Sequence, residues 1–180
     1  MKEVKVSDRL FRLAIPSTRI REAVAVIATR MNGELNDKDV IFLGILNGSF
    51  MFASDLLRQI NFNCRISFVK LASYKGTSSS GYVERLIGIN ENLNNKTVVI
   101  LEDIVDTGQT LEFIIGQLKE YKPGDIRVAT LLFKKDVYRK DIKLDYVGIE
   151  VPSDYIIGYG LDYNGYGRNL EDIYAIIDPE

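Results

Sequence analysis

Thr97-Val98-Val99-Ile100-Leu101-Glu102-Asp103-Ile104-Val105-Asp106-Thr107-Gly108-Gln109-Thr110-Leu111 is the stretch that decides how this chain folds. The run from Thr97 to Leu101 is apolar and rich in β-branched residues, the pattern of a buried parallel strand. It ends in two adjacent acids, Glu102 and Asp103. Asp106 follows, and Thr107-Gly108-Gln109-Thr110 opens a helical pattern. That order puts carboxylates at the carboxyl end of a strand, where open α/β sheets bind ligands. A glycine, two hydroxyls and the amides of a helix N-terminus come directly after them, and together they suit a phosphate. Acids beside a phosphate cradle repel the ligand unless it also carries sugar hydroxyls, a cation or both, so the pattern points to a sugar phosphate with a metal. Asp106 and Thr107 can also be read as helix caps. Capping alone leaves Glu102-Asp103 as idle solvated charge.

The chain has 180 residues, 46% of them hydrophobic and 27% charged, values expected of one globular domain, 1–180, with a full-sized core. The net charge of −2 supplies no basic footprint for nucleic acid. No apolar run approaches the roughly 18 residues that span a membrane, and the first residues, Met-Lys-Glu-Val-Lys-Val-Ser-Asp, lack the apolar core of a secretory signal. Cys64 is the only cysteine, which fits a reducing cytoplasm, and it reads as a half-buried strand residue. The chain contains no histidine. Any general base is then a carboxylate, lysine, tyrosine or cysteine.

Strand and helix patterns alternate along the chain. Pro16-Ser17-Thr18 opens a helix to about Asn32, capped by Ser17 or Thr18, with Ile20, Ala23, Val24, Ile27, Ala28 and Met31 on one face. Val40–Leu46 reads as a strand, Asn47-Gly48-Ser49 as a turn, and Phe50 to about Ile60 as a second helix. Arg65–Ala72 is a strand, followed by a polar loop from Ser73-Tyr74 to Gly81 that is either a surface hairpin or a lid. After the signature strand and a helix over Leu111–Tyr121 comes another strand, Arg127–Phe133, ending at Lys134-Lys135. This alternation predicts an α/β fold with a central parallel sheet flanked by helices. The last forty residues read as short strands joined by Gly- and Tyr-rich turns, a small subdomain outside the alternation.

The signature stretch closely resembles the phosphoribosyl-pyrophosphate (PRPP) motif of type I phosphoribosyltransferases: an apolar strand, two acids, two apolar residues, then Asp-Thr-Gly-x-Thr. Leu46-Asn47-Gly48-Ser49 suits an anion or is an ordinary turn. Beside the signature it resembles the family's pyrophosphate loop, although Asn47 stands where lysine is common. The resemblance also implies a cis peptide bond between Leu46 and Asn47. Ser73-Tyr74 resembles the flexible lid of the hypoxanthine-guanine branch. The stretch from Val151 to Tyr163, with Arg168-Asn169-Leu170, can be purely structural turns. It resembles the purine-binding hood of that branch, with Tyr155 where phenylalanine is commoner.

What the resemblance implies is a type I phosphoribosyltransferase fold, with a core over about 17–140 and a hood over about 141–180 completed by the N-terminal segment. It further implies Mg²⁺-dependent transfer of a 5-phosphoribosyl group from PRPP to N9 of hypoxanthine or guanine in purine salvage. Glu102 and Asp103 would bind the ribose, and Asp106, Thr107, Gly108, Gln109 and Thr110 the 5′-phosphate, with Asp106 as catalytic base. Leu46, Asn47, Gly48, Ser49 and Arg168 would hold pyrophosphate. Lys134, Tyr155, Ile156 and Asp162 would receive the purine, and Asp162, Glu102 and Asp103 the metal. Partners are PRPP and a 6-oxopurine, and the family is generally dimeric or tetrameric. The alternatives are a PRPP-sensing regulatory protein of the same fold and a transferase specific for xanthine.

Overall fold

The structure, a computed structural model, describes residues 2–75 and 82–177. Its centre is a sheet in the order β5-β4-β3-β6-β7-β8, made of β3 (Val40–Leu46), β4 (Cys64–Lys75), β5 (Tyr82–Ile87), β6 (Thr97–Val105), β7 (Asp125–Phe133) and β8 (Tyr146–Glu150). All neighbouring pairs are parallel except β4 with β5. The strand side chains alternate between two cores, as the pleat requires. Phe42, Val99 and Leu101 pack with α1 (Ser17–Glu34) and α2 (Phe50–Leu57). Ile41, Leu43, Val98 and Ile100 pack on the other face with Leu111, Ile114 and Leu118 of α3 (Gln109–Lys119). Helices on both faces explain why β3 and β6 are nearly continuous apolar runs.

A second, four-stranded antiparallel sheet has the order β1-β2-β10-β9, formed by β1 (Glu3–Val6), β2 (Arg9–Ile15), β9 (Ile156–Ile157) and β10 (Ile173–Ile176). The N-terminal segment thus completes the hood, as expected. The boundary expected near residue 141 is corrected: β8 pairs with β7 and belongs to the main sheet, because its buried Tyr146 and Ile149 complete the core under α1. Ser73 and Tyr74 are also corrected from loop to strand, since they pair with Glu84 and Val83 in the β4–β5 hairpin. The rest of the expected lid, 76–81, lies outside the described residues.

The cap of α1 differs from expectation too. Neither Ser17 nor Thr18 supplies a side-chain cap. The Ser17 amide instead donates to Asp172 Oδ1 of the hood at 2.8 Å. The other carboxylate oxygen of Asp172 accepts from Lys2 Nζ at 2.7 Å and from the Tyr174 hydroxyl at 3.2 Å. Pro16 fixes an extended entry to the helix, and the orphan amide then faces a buried acid from 155 residues away. Asp172→Ala removes three bonds at once and leaves buried donors unmatched. It is expected to cost about 1–3 kcal/mol in urea unfolding, with Asp172→Asn losing less because it keeps an acceptor for Ser17. Unchanged unfolding midpoints in both variants would show that this junction does not depend on Asp172.

Candidate active site

Three loops leave the carboxyl ends of β3, β6 and β7, and the hood closes over them. After β6, residues 106–108 bend into α3, and residues 102–111 line a cavity of about 310 Å³. The strand does not stop at the acids; it continues through Glu102 and Asp103 to Val105. Both acids line that cavity, and Glu102 is 6% exposed. Burial, with the neighbouring Asp103 charge adding to it, holds its carboxyl well above the usual range. Burial likewise pushes Asp103 up to about 6, against the opposing Ile104 amide and Arg168 guanidinium. Asp106, Thr107, Gln109 and Thr110 face outward, while Gly108 is buried.

Asp103 is half-buried, with Gly48 set against its carboxylate. A Cβ on Gly48 would overlap the Asp103 carboxylate, and a Cβ on Gly160 (φ 99°) would overlap the Gly48 carbonyl. Turn, acid and hood thus meet at contact distance, with glycine required at both joints. The Leu46–Asn47 bond is cis, as the resemblance implies. Ser49 is turned inward and fully buried; its hydroxyl donates to the Ile45 carbonyl at 2.6 Å and its amide to the same carbonyl at 3.4 Å. Its expected contact with pyrophosphate narrows to shaping the turn. Asn47 is exposed at the tip.

Lys134 follows β7, and its side chain is only 12% exposed. Its ammonium donates to Asp106 Oδ2 at 3.2 Å and to the Ser153 carbonyl at 3.3 Å, joining the β6 loop to the approach of the hood. In the hood, Tyr155 is 49% exposed, with its ring edge-on to Tyr163 at 6.0 Å and its hydroxyl donating to the Asp162 carbonyl at 2.9 Å. Ile156 lies on β9, the edge of the hood sheet, where one side of the backbone has no strand partner. Asp162 Oδ1 pairs with Arg168 at 2.6 Å, and its Oδ2 accepts the Gly165 amide at 2.7 Å. Arg168 also donates to the Gly160 carbonyl at 2.7 Å.

Among the described residues no three acids gather into a preformed cation cage. Asp162 is already paired with Arg168 and the Gly165 amide. The donor set is all carboxylate oxygen, which fits a hard cation that takes its remaining ligands from substrate and water. Asp103 and Asp162 lie close enough for the Asp162 charge to raise the Asp103 carboxyl. Sequence reasoning missed the Ser153 carbonyl and Tyr159, whose roles depend on contacts across the fold.

A model of the phosphoribosyl transferase domain matches residues 16–164. The chain belongs to the phosphoribosyl transferase family. The hypoxanthine-guanine phosphoribosyltransferase of Aquifex aeolicus is 32% identical to it, over 99% of this chain and all of the relative. The enzyme of the same name from Staphylococcus epidermidis is 40% identical over 76% of this chain and 77% of its own length. The crystal structure of a hypoxanthine-guanine phosphoribosyltransferase from Bacillus anthracis superposes with a TM-score of 0.84 at 30% identity, covering 98% of this chain and 99% of that one.

The raised Asp103 carboxyl makes a signed prediction. The folded state holds this proton more tightly than an unfolded chain with the ordinary value of 3.8. The destabilising charge is therefore absent below about pH 4, grows between about 4 and 6, and is complete above 6. Asp103→Asn is expected to stabilise the protein by up to about 3 kcal/mol at pH 7.5, and the gain should vanish near pH 4. Paired denaturation curves at both pH values check this. A gain of equal size at both would show that ionisation is not its source.

Proposed function

We propose that this protein transfers the 5-phosphoribosyl group of PRPP to N9 of hypoxanthine or guanine, forming the nucleotide and releasing pyrophosphate. The observation that carries the reading is the placement of Lys134. It is nearly buried, with one donor on Asp106 and one on the hood. An ammonium has three donors, so one remains to reach the 6-oxo group of a purine lying on Tyr155. The edge of β9 at Ile156 offers backbone groups to the rim of the base. Adenine, which lacks the oxo group, gains nothing from Lys134.

The chemical difficulty is expelling pyrophosphate from the anomeric carbon, which leaves positive charge on the ribose. Glu102 and Asp103 line the space where that charge develops and can accept hydrogen bonds from the ribose hydroxyls. The 5′-phosphate fits the turn from Thr107 to Thr110 at the α3 N-terminus. Arg168 and the amides of the Asn47–Gly48 turn face the leaving pyrophosphate. Asp162, with Asp103, would hold Mg²⁺ beside the pyrophosphate, where the cation neutralises charge on the leaving group. Asp106, already hydrogen-bonded to Lys134, is the group placed to take the purine N7 proton.

PRPP supplied with each of hypoxanthine, guanine, xanthine, adenine and uracil, with Mg²⁺ or with EDTA, tests the assignment. Nucleotide should form with hypoxanthine or guanine and only when Mg²⁺ is present. Turnover of adenine or uracil alone would refute the 6-oxopurine reading, and turnover in EDTA would remove the metal.

Asp106→Asn separates chemistry from capping. The N-cap of α3 is Gly108 without a side-chain bond, so Asp106 is free of the capping role. The variant keeps an oxygen for Lys134 but loses the proton acceptor. Its single-turnover rate should fall about 10²–10⁴-fold while PRPP binding holds or tightens. An unchanged chemical step would return Asp106 to a structural role.

A further inference from the structure

We propose that Tyr159 is a positioning residue for the pyrophosphate end of PRPP: through Asp55 it clamps the hood turn Gly158-Tyr159-Gly160 onto the turn at Asn47-Gly48. The proposal rests on the reading of the site given above. Tyr159 is 6% exposed, and its hydroxyl donates to Asp55 Oδ2 at 2.6 Å. Asp55 lies on α2, the helix that begins directly after the Asn47-Gly48-Ser49 turn. The bond therefore runs from the hood to the element that carries the loop.

The surrounding geometry makes this link directional. Tyr159 has a left-handed backbone (φ 48°), rare for an aromatic residue. Its amide bonds the Leu170 carbonyl at 2.8 Å, and the Gly160 amide bonds the Arg168 carbonyl at 3.0 Å. The turn so held sends the Tyr159 ring into the core between α1 and α2 and presses Gly160 onto the Gly48 carbonyl. The Gly160 carbonyl also accepts from Arg168, which pairs with Asp162. One partly buried, charge-assisted bond thus fixes the separation between Arg168 and Asp162 on one side and the loop amides on the other. Groups that must converge on one pyrophosphate are sensitive to displacements of about 1 Å. Lys134, at the purine end, is not in this chain of contacts, and Tyr155 touches it only at the Asp162 carbonyl.

The test uses the full chain, with PRPP binding measured by calorimetry in Mg²⁺ alongside steady-state kinetics and melting curves. Tyr159→Phe keeps the ring and deletes the bond; Asp55→Leu deletes it from the other end. Each should weaken PRPP binding about tenfold, with the KM for hypoxanthine and kcat at saturating PRPP within about twofold. Asp55→Asn, which keeps an acceptor, should bind PRPP within about threefold of the parent. The double variant Tyr159→Phe/Asp55→Leu should be no weaker than either single change. Lower melting temperatures with unchanged PRPP binding would make the bond merely structural and overturn the proposal. Equal losses for PRPP and hypoxanthine would overturn it as well. A parent protein that binds no PRPP would refute the function reading itself, and this shows before any variant is compared.

Discussion

The contact between Gly48 and the Asp103 carboxylate constrains everything else at this site. The half-buried acid is crowded by a turn that leaves no room for a side chain beside it. Burying a carboxylate without a full partner is costly, and its raised proton affinity is the visible result. Such an arrangement persists only where the surrounding scaffold is rigid. Here β6 lies between β3 and β7 in the middle of the sheet, with a packed core on each face. Central strands are the least able to shift, so the acids at the end of β6 stay in place although they are electrostatically unfavourable.

The hood has the opposite character. It is a small antiparallel sheet joined to the main body through contacts that include Asp172 on the amide of Ser17, Tyr159 on Asp55, Gly160 on Gly48 and Lys134 on the Ser153 carbonyl, with Ile15, Tyr159 and Ile173 packed into the main core.

Period and punctuation made the core legible. Val40–Leu46 and Tyr146–Glu150 match the structure residue for residue, because buried parallel strands are apolar throughout and end at clear turn residues. The acids, the phosphate turn and the hood turns were legible for the same reason: local chemistry at element ends. What was not legible depends on pairing across distance. Strands β1 and β2 alternate, with Val4 and Val6, then Phe11, Leu13 and Ile15, but they are short and interrupted by charge. Their strand character comes from pairing, β1 with β2 and β2 with β10 from the far end of the sequence. Strand β8 was assigned to the hood because sequence proximity favours its neighbours there, whereas its register with Leu132 and Phe133 is a tertiary fact. Ser17 looked like its own helix cap until the hood supplied Asp172. The continuation of β6 through Glu102 and Asp103 also escaped the pattern, since charged residues usually mark the end of a buried strand.

Two departures from the family pattern act on the same balance of charge. Where the resemblance leads one to expect lysine in the turn, the exposed Asn47 brings no cation, so on the proposed reading the positive charge beside the leaving group would fall to Arg168. That guanidinium is already shared between Asp162 and the Gly160 carbonyl. Its position therefore matters more here than in a loop with its own lysine. Tyr155, where phenylalanine is commoner, adds a hydroxyl that bonds the carbonyl of Asp162 itself. The ring on which the purine would stack is thus tied to the backbone of the residue that pairs with Arg168. A chain with one cation fewer at the turn carries one more fixed contact holding the remaining cation's partner in place, and preorganisation of that kind substitutes for raw charge because it lowers the reorganisation needed when the ligand arrives.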